Sequence, residues 1–390
     1  MNDIEAIICL ILLFMSVPDF CRRVLKRPAL IYSVFVLFGL LLGPLVSDGV
    51  AAMLKQAGKV GFLLLLFEVG LEITLPKARE VLHPLRLTLK WVLIQYPVIL
   101  LLAMTAGLNL REAFFAAAAL TGCSVGMAYS AWKNFEGFTE DGRRLTLQVM
   151  VLLEMLAIVL LSVETVVLET GFGWMVLVKL AGIATVVFLI SRFASHLKNA
   201  FQTIIERTTH WRIHFMVLVI LGVCAIGERF GLSATKTAFF LGIAMSRTGH
   251  DGVRLEDYIA PISQRLLIPI FFVTLGLQLD WRMLLTQTAL LAVCTAFFLI
   301  GFREMMHRRL VRTSEDGQSW LLLCPNLTIV ALAASALLEH GGSPEVAAWL
   351  VLTGLFVTIP SIFMLPPAKP KQAATVPPAP APVQMPTIPQ

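Results

Sequence analysis

A single carboxylate, Glu154, interrupts the otherwise apolar run Val149–Leu161. If that run crosses a membrane, an acid at its centre costs about 2.5–3.5 kcal/mol on an insertion scale, so it needs a function or a partner. A carboxylate held in a low-dielectric site can be neutralised by a proton or by a cation, and competition between the two is proton-coupled exchange in its simplest form. A protonated or paired structural Glu is the plainer alternative.

Other stretches carry groups that could serve such an acid. In Ala116–Ala131, Thr121, Gly122, Ser124 and Gly126 fall mid-helix. Glycines and hydroxyls at that depth suit a broken helix whose freed backbone lines an ion site; small-residue packing between helices fits the same residues. Leu323–Ile329 offers a second interruption, where Pro325 removes a helical hydrogen bond and Asn326 and Thr328 could satisfy the exposed backbone. Glu68 and Glu72 stand four apart on one helix face, Glu72 towards the helix end and Glu68 deeper, where an ion pair with a basic residue and a part in transport both fit. The candidate ion-binding residues are therefore Thr121, Ser124, Glu154 and Asn326.

These residues need membrane helices to position them. Of the 390 residues 57% are hydrophobic and only 14% charged, with a mean hydropathy of +0.82, whereas a soluble domain carries about 25% charge. The chain reads as an all-α polytopic membrane protein. With spans of about 20 residues as the ruler, about thirteen helices are expected, centred near Ile11, Val36, Leu65, Leu100, Leu120, Met155, Val186, Leu218, Phe240, Phe271, Ala292, Val330 and Leu355. Basic residues gather in alternate connections: Arg22, Arg23, Lys26 and Arg27; Lys77, Arg79, Arg86 and Lys90; Lys133, Arg143 and Arg144; Arg192, Lys198, Arg207 and Arg212; Arg247, Arg254 and Arg265; Arg303, Arg308, Arg309 and Arg312. By the positive-inside rule this places the N-terminus outside and the C-terminus in the cytoplasm.

Residues 1–365 are expected to form the transmembrane domain. Residues 366–390, with nine prolines, are expected to be a disordered cytoplasmic tail, open to a protein partner. The six cysteines are scattered without a CxxC pair and read as small buried hydrophobes. No cofactor, tightly bound metal, nucleic-acid partner or enzymatic motif is expected.

Several segments in order resemble the cation:proton antiporter-2 family of sodium/proton and Kef-type potassium/proton exchangers. Phe67-Glu-Val-Gly-Leu-Glu72 resembles its F-x-x-G-L-E signature, and Thr121–Gly126 its interrupted-helix motif. Gly231-Leu-Ser233 with Ala238–Gly242 is similar to its G-L-S…G-A-F-L-A-G stretch, and Pro269–Gly276 with Asp280 to P-I-F-F-V-x-x-G…D. The resemblance implies inverted repeats with two crossed, interrupted helices, a core and a dimerisation domain, a homodimer, and Glu154 as the ion/proton carboxylate. The family usually has Asp there after an acidic or polar residue; this chain has Leu153-Glu154. One carboxylate favours one-for-one, electroneutral exchange. The family's Lys on a later helix falls within one residue of Arg303, which reads as a charge partner of the site, as Glu68 does, or as a positive-inside anchor at a helix end.

The resulting expectation is a secondary transporter exchanging Na+ or K+ for protons by alternating access in a cell inner membrane. A transport-inactive relative acting as sensor or scaffold with a partner is the alternative. An organic-anion carrier fits poorly, because Glu154 would repel its substrate.

Overall fold

A computed structural model of the chain describes residues 3–72, 78–135, 138–171, 212–229, 234–246, 249–250, 253–310 and 318–365, with 173–174, 176–178, 181–182 and 185 in between. Fourteen α-helices are described: α1 Asp3–Asp19, α2 Ile31–Leu42, α3 Asp48–Glu72, α4 Ala78–Thr105, α5 Leu110–Thr121, α6 Val125–Asn134, α7 Glu140–Thr170, α8 Arg212–Arg229, α9 Ala234–Met245, α10 Leu255–Ile262, α11 Ile268–Leu277, α12 Gln287–Leu310, α13 Leu327–Glu339 and α14 Pro344–Met364. The non-helical pairing among them is one antiparallel contact of Gly249–His250 with Val253–Arg254. Among the described residues, ten segments are long and apolar enough to cross a membrane. The protein is an all-helical, polytopic membrane protein.

Twelve of the expected centres lie in helices. The thirteenth, Val186, and the tail 366–390 lie outside the described residues, as do Gly231–Ser233 of the motif series. The basic connections need correction. Arg79, Arg86 and Lys90 belong to α4, Arg143 and Arg144 to α7, and Arg303, Arg308 and Arg309 to α12. At 1.5 Å per residue, helices of 28 and 31 residues outrun a hydrocarbon core of about 30 Å, so charges read as loop residues fall within helices.

The helices pack as two bundles. In one, α3 lies against α9 and α11, with α2 on α11 and α8 on α9; in the other, α4, α5 and α7 pack together with α13, and α12 packs on α14. Lipid offers apolar side chains no hydrophobic reason to associate, so contact rests on close packing. Gly70 of α3 and Gly242 of α9 show how close: a Cβ on Gly70 would strike the Phe239 carbonyl, and one on Gly242 the Phe67 carbonyl. Gly39 and Gly276 repeat the arrangement between α2 and α11. Asp280, at the end of the Pro269–Gly276 motif, is a cap: its carboxylate accepts from the Arg282 N–H at 2.9 Å and starts a 3-10 turn.

Local signals place the second bundle's breaks. A reciprocal Asn109–Glu112 capping box starts α5, which ends at Thr121, where Gly122 turns extended (ψ 167°). Ser124 is extended as well, and α6 begins at Val125. A 3-10 turn, Ser319–Leu323, runs into Cys324-Pro325-Asn326 before α13 starts. Each half of the chain thus contributes one interrupted helix.

Candidate functional site

The two interruptions meet. The Ser124 N–H donates to the Pro325 carbonyl at 2.6 Å, the Thr328 hydroxyl to Ser124 Oγ at 2.6 Å, and the Cys123 thiol to the Leu322 carbonyl at 3.3 Å. These bonds satisfy part of the backbone that each break frees, which a buried site in lipid requires.

Glu154 comes to this crossing from α7. It is 1% exposed, and Oε2 accepts from the Val125 N–H, the first of α6, at 3.0 Å. A carboxylate there meets the positive end of the helix dipole and an otherwise orphaned amide. Oε1 is buried without a hydrogen-bond partner. So are Thr121 Oγ1 and both side-chain heteroatoms of Asn326, whose backbone N–H donates to Thr358 Oγ1 at 3.3 Å. The four predicted ion-binding residues therefore share one crossing, and three of them hold unused oxygen. Fully buried polar atoms without partners are uncommon, and hard oxygen donors of this kind suit alkali cations.

Arg303 is not the helix-end anchor that its sequence position allowed. It is fully buried rather than anchored at a helix end, and its hydrogen bonds run to carbonyls rather than to an acid. Nη1 donates to Leu323 O at 3.2 Å and to Cys324 O at 2.9 Å, and Nη2 donates to Leu120 O. Those carbonyls close α5 and the 3-10 turn, the negative ends of both broken elements. A guanidinium stays charged and offers a planar fork of donors, so it ties both ends at once where the helix-end reading saw only a loop charge. The crossing thus has an acid on its positive helix end and a base on its negative ones.

Glu68 stands elsewhere, on α3 in the other bundle, where its carboxylate accepts from the Ser263 hydroxyl and from Gln264 Nε2, the latter at 3.1 Å. Glu72 closes α3.

Three positioning residues escaped the sequence reading. Gln95 is fully buried and its Nε2 lies 3.5 Å from Leu120 O; a lone amide in an apolar span was the available signal. Glu164, ten residues beyond Glu154, accepts from Tyr96 Oη at 2.6 Å. Arg143 closes the α6–α7 turn by donating to Lys133 O at 3.0 Å and Phe135 O at 2.7 Å, while the Trp132 indole donates to Arg143 O at 3.0 Å. That turn fixes α6, and with it the amide facing Glu154.

Two cavities are lined by neighbours of the crossing residues. One of about 910 Å³ opens between the bundles and includes Asp19, Arg22, Gly126, Met127, Gln264 and Arg265; Gly126 follows Val125 directly. The other, about 80 Å³, runs along Ile158, Leu161 and Thr165, the face of α7 that Glu154 shares at i+4, i+7 and i+11. Among the described residues no His, Cys, Asp or Glu cluster could hold a metal ion, and the cysteines are free.

Comparison with known proteins places this geometry. The structure resembles that of the sodium proton antiporter MjNhaP1 from Methanocaldococcus jannaschii at pH 8, with a TM-score of 0.65 and 15% identity over 93% of this chain and 95% of that one. In sequence it is 26% identical to a Na(+)/H(+) antiporter of Enterococcus hirae over 74% of this chain and 76% of that protein. It is 22% identical to the Na(+)/H(+)-K(+) antiporter GerN of Bacillus cereus over 77% and 79%. The family described as sodium/hydrogen exchanger, transmembrane, matches residues 9–367. The resemblance read from the motifs holds at that level, and the chain belongs to the transmembrane sodium/hydrogen exchanger family.

Proposed function

We propose that the protein exchanges a monovalent cation, Na+ or K+, for protons by alternating access, with Glu154 as the shared carboxylate. The observation that carries this reading is the half-satisfied acid at the crossing: one oxygen held by the Val125 N–H at 3.0 Å, the other unused, on a crossing whose Thr121 and Asn326 also hold unused oxygens. The Val125 amide keeps the carboxylate oriented whichever ion occupies it. A cation that sheds water finds replacement oxygens in Glu154, Thr121 and Asn326, while Ser124, engaged by Thr328, shapes the wall. A proton on Glu154 removes the charge that holds the cation, so the two exclude one another. Because Arg303 keeps its charge throughout, the titrating group in this scheme is one carboxylate, which favours one-for-one, electroneutral exchange. Relatives that are Na(+)/H(+) and Na(+)/H(+)-K(+) antiporters support the ion class.

The unequal cavities support alternating access. Gly126, next to the amide that holds Glu154, lines a wide opening at the Arg22–Arg265 side, and Ile158, one turn along α7, lines a narrow one; sliding of one bundle past the other would exchange them. We assign the wide, basic side to the cytoplasm of an inner membrane and expect a homodimer. The exposed apolar face of α1, with Ile4, Ile8, Leu12 and Met15, suits lipid or a second copy.

The test is a pH dye in acid-loaded proteoliposomes. Lumen alkalinisation on adding Na+ or K+, lost in Glu154→Gln, is the expected result. Traces that stay flat with Na+, K+ and Li+ from about pH 6 to 9 would overturn exchange and favour the sensor or scaffold reading.

A further inference from the structure

We infer that Glu68 is a positioning residue for cation entry, a fixed negative charge behind the Gln264 wall of the wide cavity; this rests on the exchange function proposed above. Three observations converge on it. First, Glu68 is 6% exposed one turn before the end of the membrane helix α3, and a buried acid there is costly without a task. Second, the chain widens to meet it. Ser263–Leu267 is a π-helical turn between α10 and α11, an irregularity common at functional sites. Consecutive side chains on a regular helix diverge by about 100°, yet here Ser263 and Gln264 both reach one carboxylate, one donor on each oxygen. The turn lies so close to α3 that a Cβ on Gly61 would strike the Leu267 carbonyl. Third, Gln264 and Arg265 line the cavity that also exposes Gly126, and α3 packs against α6.

The charges on that cavity explain the need. Arg22 and Arg265 face it, with Asp19 the acid among its lining residues. A cation heading for Glu154 would meet two guanidinium groups against one carboxylate. Glu68, one hydrogen bond behind Gln264, balances them. Low-dielectric walls focus such potentials and set the local cation concentration. Glu68 does not touch the transported ion in this scheme; it acts through Gln264 and the field in the cavity.

Everted and right-side-out membrane vesicles carrying the full chain separate this from a structural role, with Na+-dependent dye alkalinisation as readout. In everted vesicles, Glu68→Gln is expected to raise the apparent KM for Na+ about five- to tenfold with less than a twofold change at saturation. In right-side-out vesicles KM is expected to move less than twofold. Arg265→Gln is expected to lower the everted KM two- to threefold, the opposite sign. Gln264→Leu, at an exposed position, is expected to raise it two- to threefold and carries the test if Glu68→Gln fails to accumulate. An unmoved KM, an equal shift on both faces, or a fall in maximal rate at constant KM overturns the inference while wild-type exchange stands. Wild-type vesicles that exchange nothing overturn it together with the function it rests on.

Discussion

Glu154 and Glu68 are both buried acids in membrane helices, and their surroundings divide them by task. Glu154 has a backbone amide on one oxygen and nothing on the other, at the junction of two broken helices. Glu68 has a side-chain donor on each oxygen, on an unbroken helix packed against a π-turn. A carboxylate with spare acceptor capacity can take an ion; one whose oxygens are both engaged holds its charge in place. In the proposed scheme, the number of donors together with the place at the helix breaks, more than burial, separates an exchange site from a fixed charge. Glu164 matches Glu154 in donor count, with Tyr96 on one oxygen and the other unused, but it stands away from the helix breaks, beside Thr165 of the narrow cavity.

Substitutions can break or sharpen this contrast. The largest effect is expected from Glu154→Gln, which keeps the Val125 contact but removes the charge: dye traces should fall to the level of empty liposomes. Residual saturable exchange would shift the site elsewhere. Next comes Arg303→Met, which leaves the carbonyls of Leu120, Leu323 and Cys324 without their donor. A loss of about 3 kcal/mol, some 5–10 °C in melting temperature in detergent, is expected, with part of it regained in Arg303→Lys; unchanged melting would deny Arg303 its bridging role. The pH dependence of the Na+ KM is a third measure. A proton and a cation competing for one carboxylate should make KM fall about tenfold per pH unit on the acid side, where the proton must first leave, and level off on the alkaline side once the site is empty. Glu68→Gln should displace that curve without changing its slope. The smallest effect is expected from Tyr96→Phe, which removes one hydrogen bond worth about 1 kcal/mol; exchange should stay within about threefold, and a larger loss would make Glu164 part of the ion path.

Much of the fold was legible because lipid imposes strict rules. Span length and apolar runs located twelve of the fourteen described helices, missing the short α6 and α10, and Gly122 and Pro325 announced both breaks, since each disrupts a helix by its own backbone chemistry. Glu154 stood out because charge in such a run is rare. Helix ends were less legible: the basic stretch at residues 79–90 continues α4, because nothing local marks where a helix leaves the membrane. Gln95 and Tyr96 looked ordinary because their partners, Leu120 and Glu164, are 25 and 68 residues away.

Sequence alone determined the membrane class, the order of the helices, the two interruptions and the acid, since each follows from local composition and backbone preference. Tertiary structure decided what the charged residues meet: Arg303 on three carbonyls, Glu154 on a helix start, and Glu68 on a π-turn nearly two hundred residues away in the chain. A side chain's partner in a low-dielectric interior is set by which helix ends converge there, and no single stretch of sequence encodes that convergence.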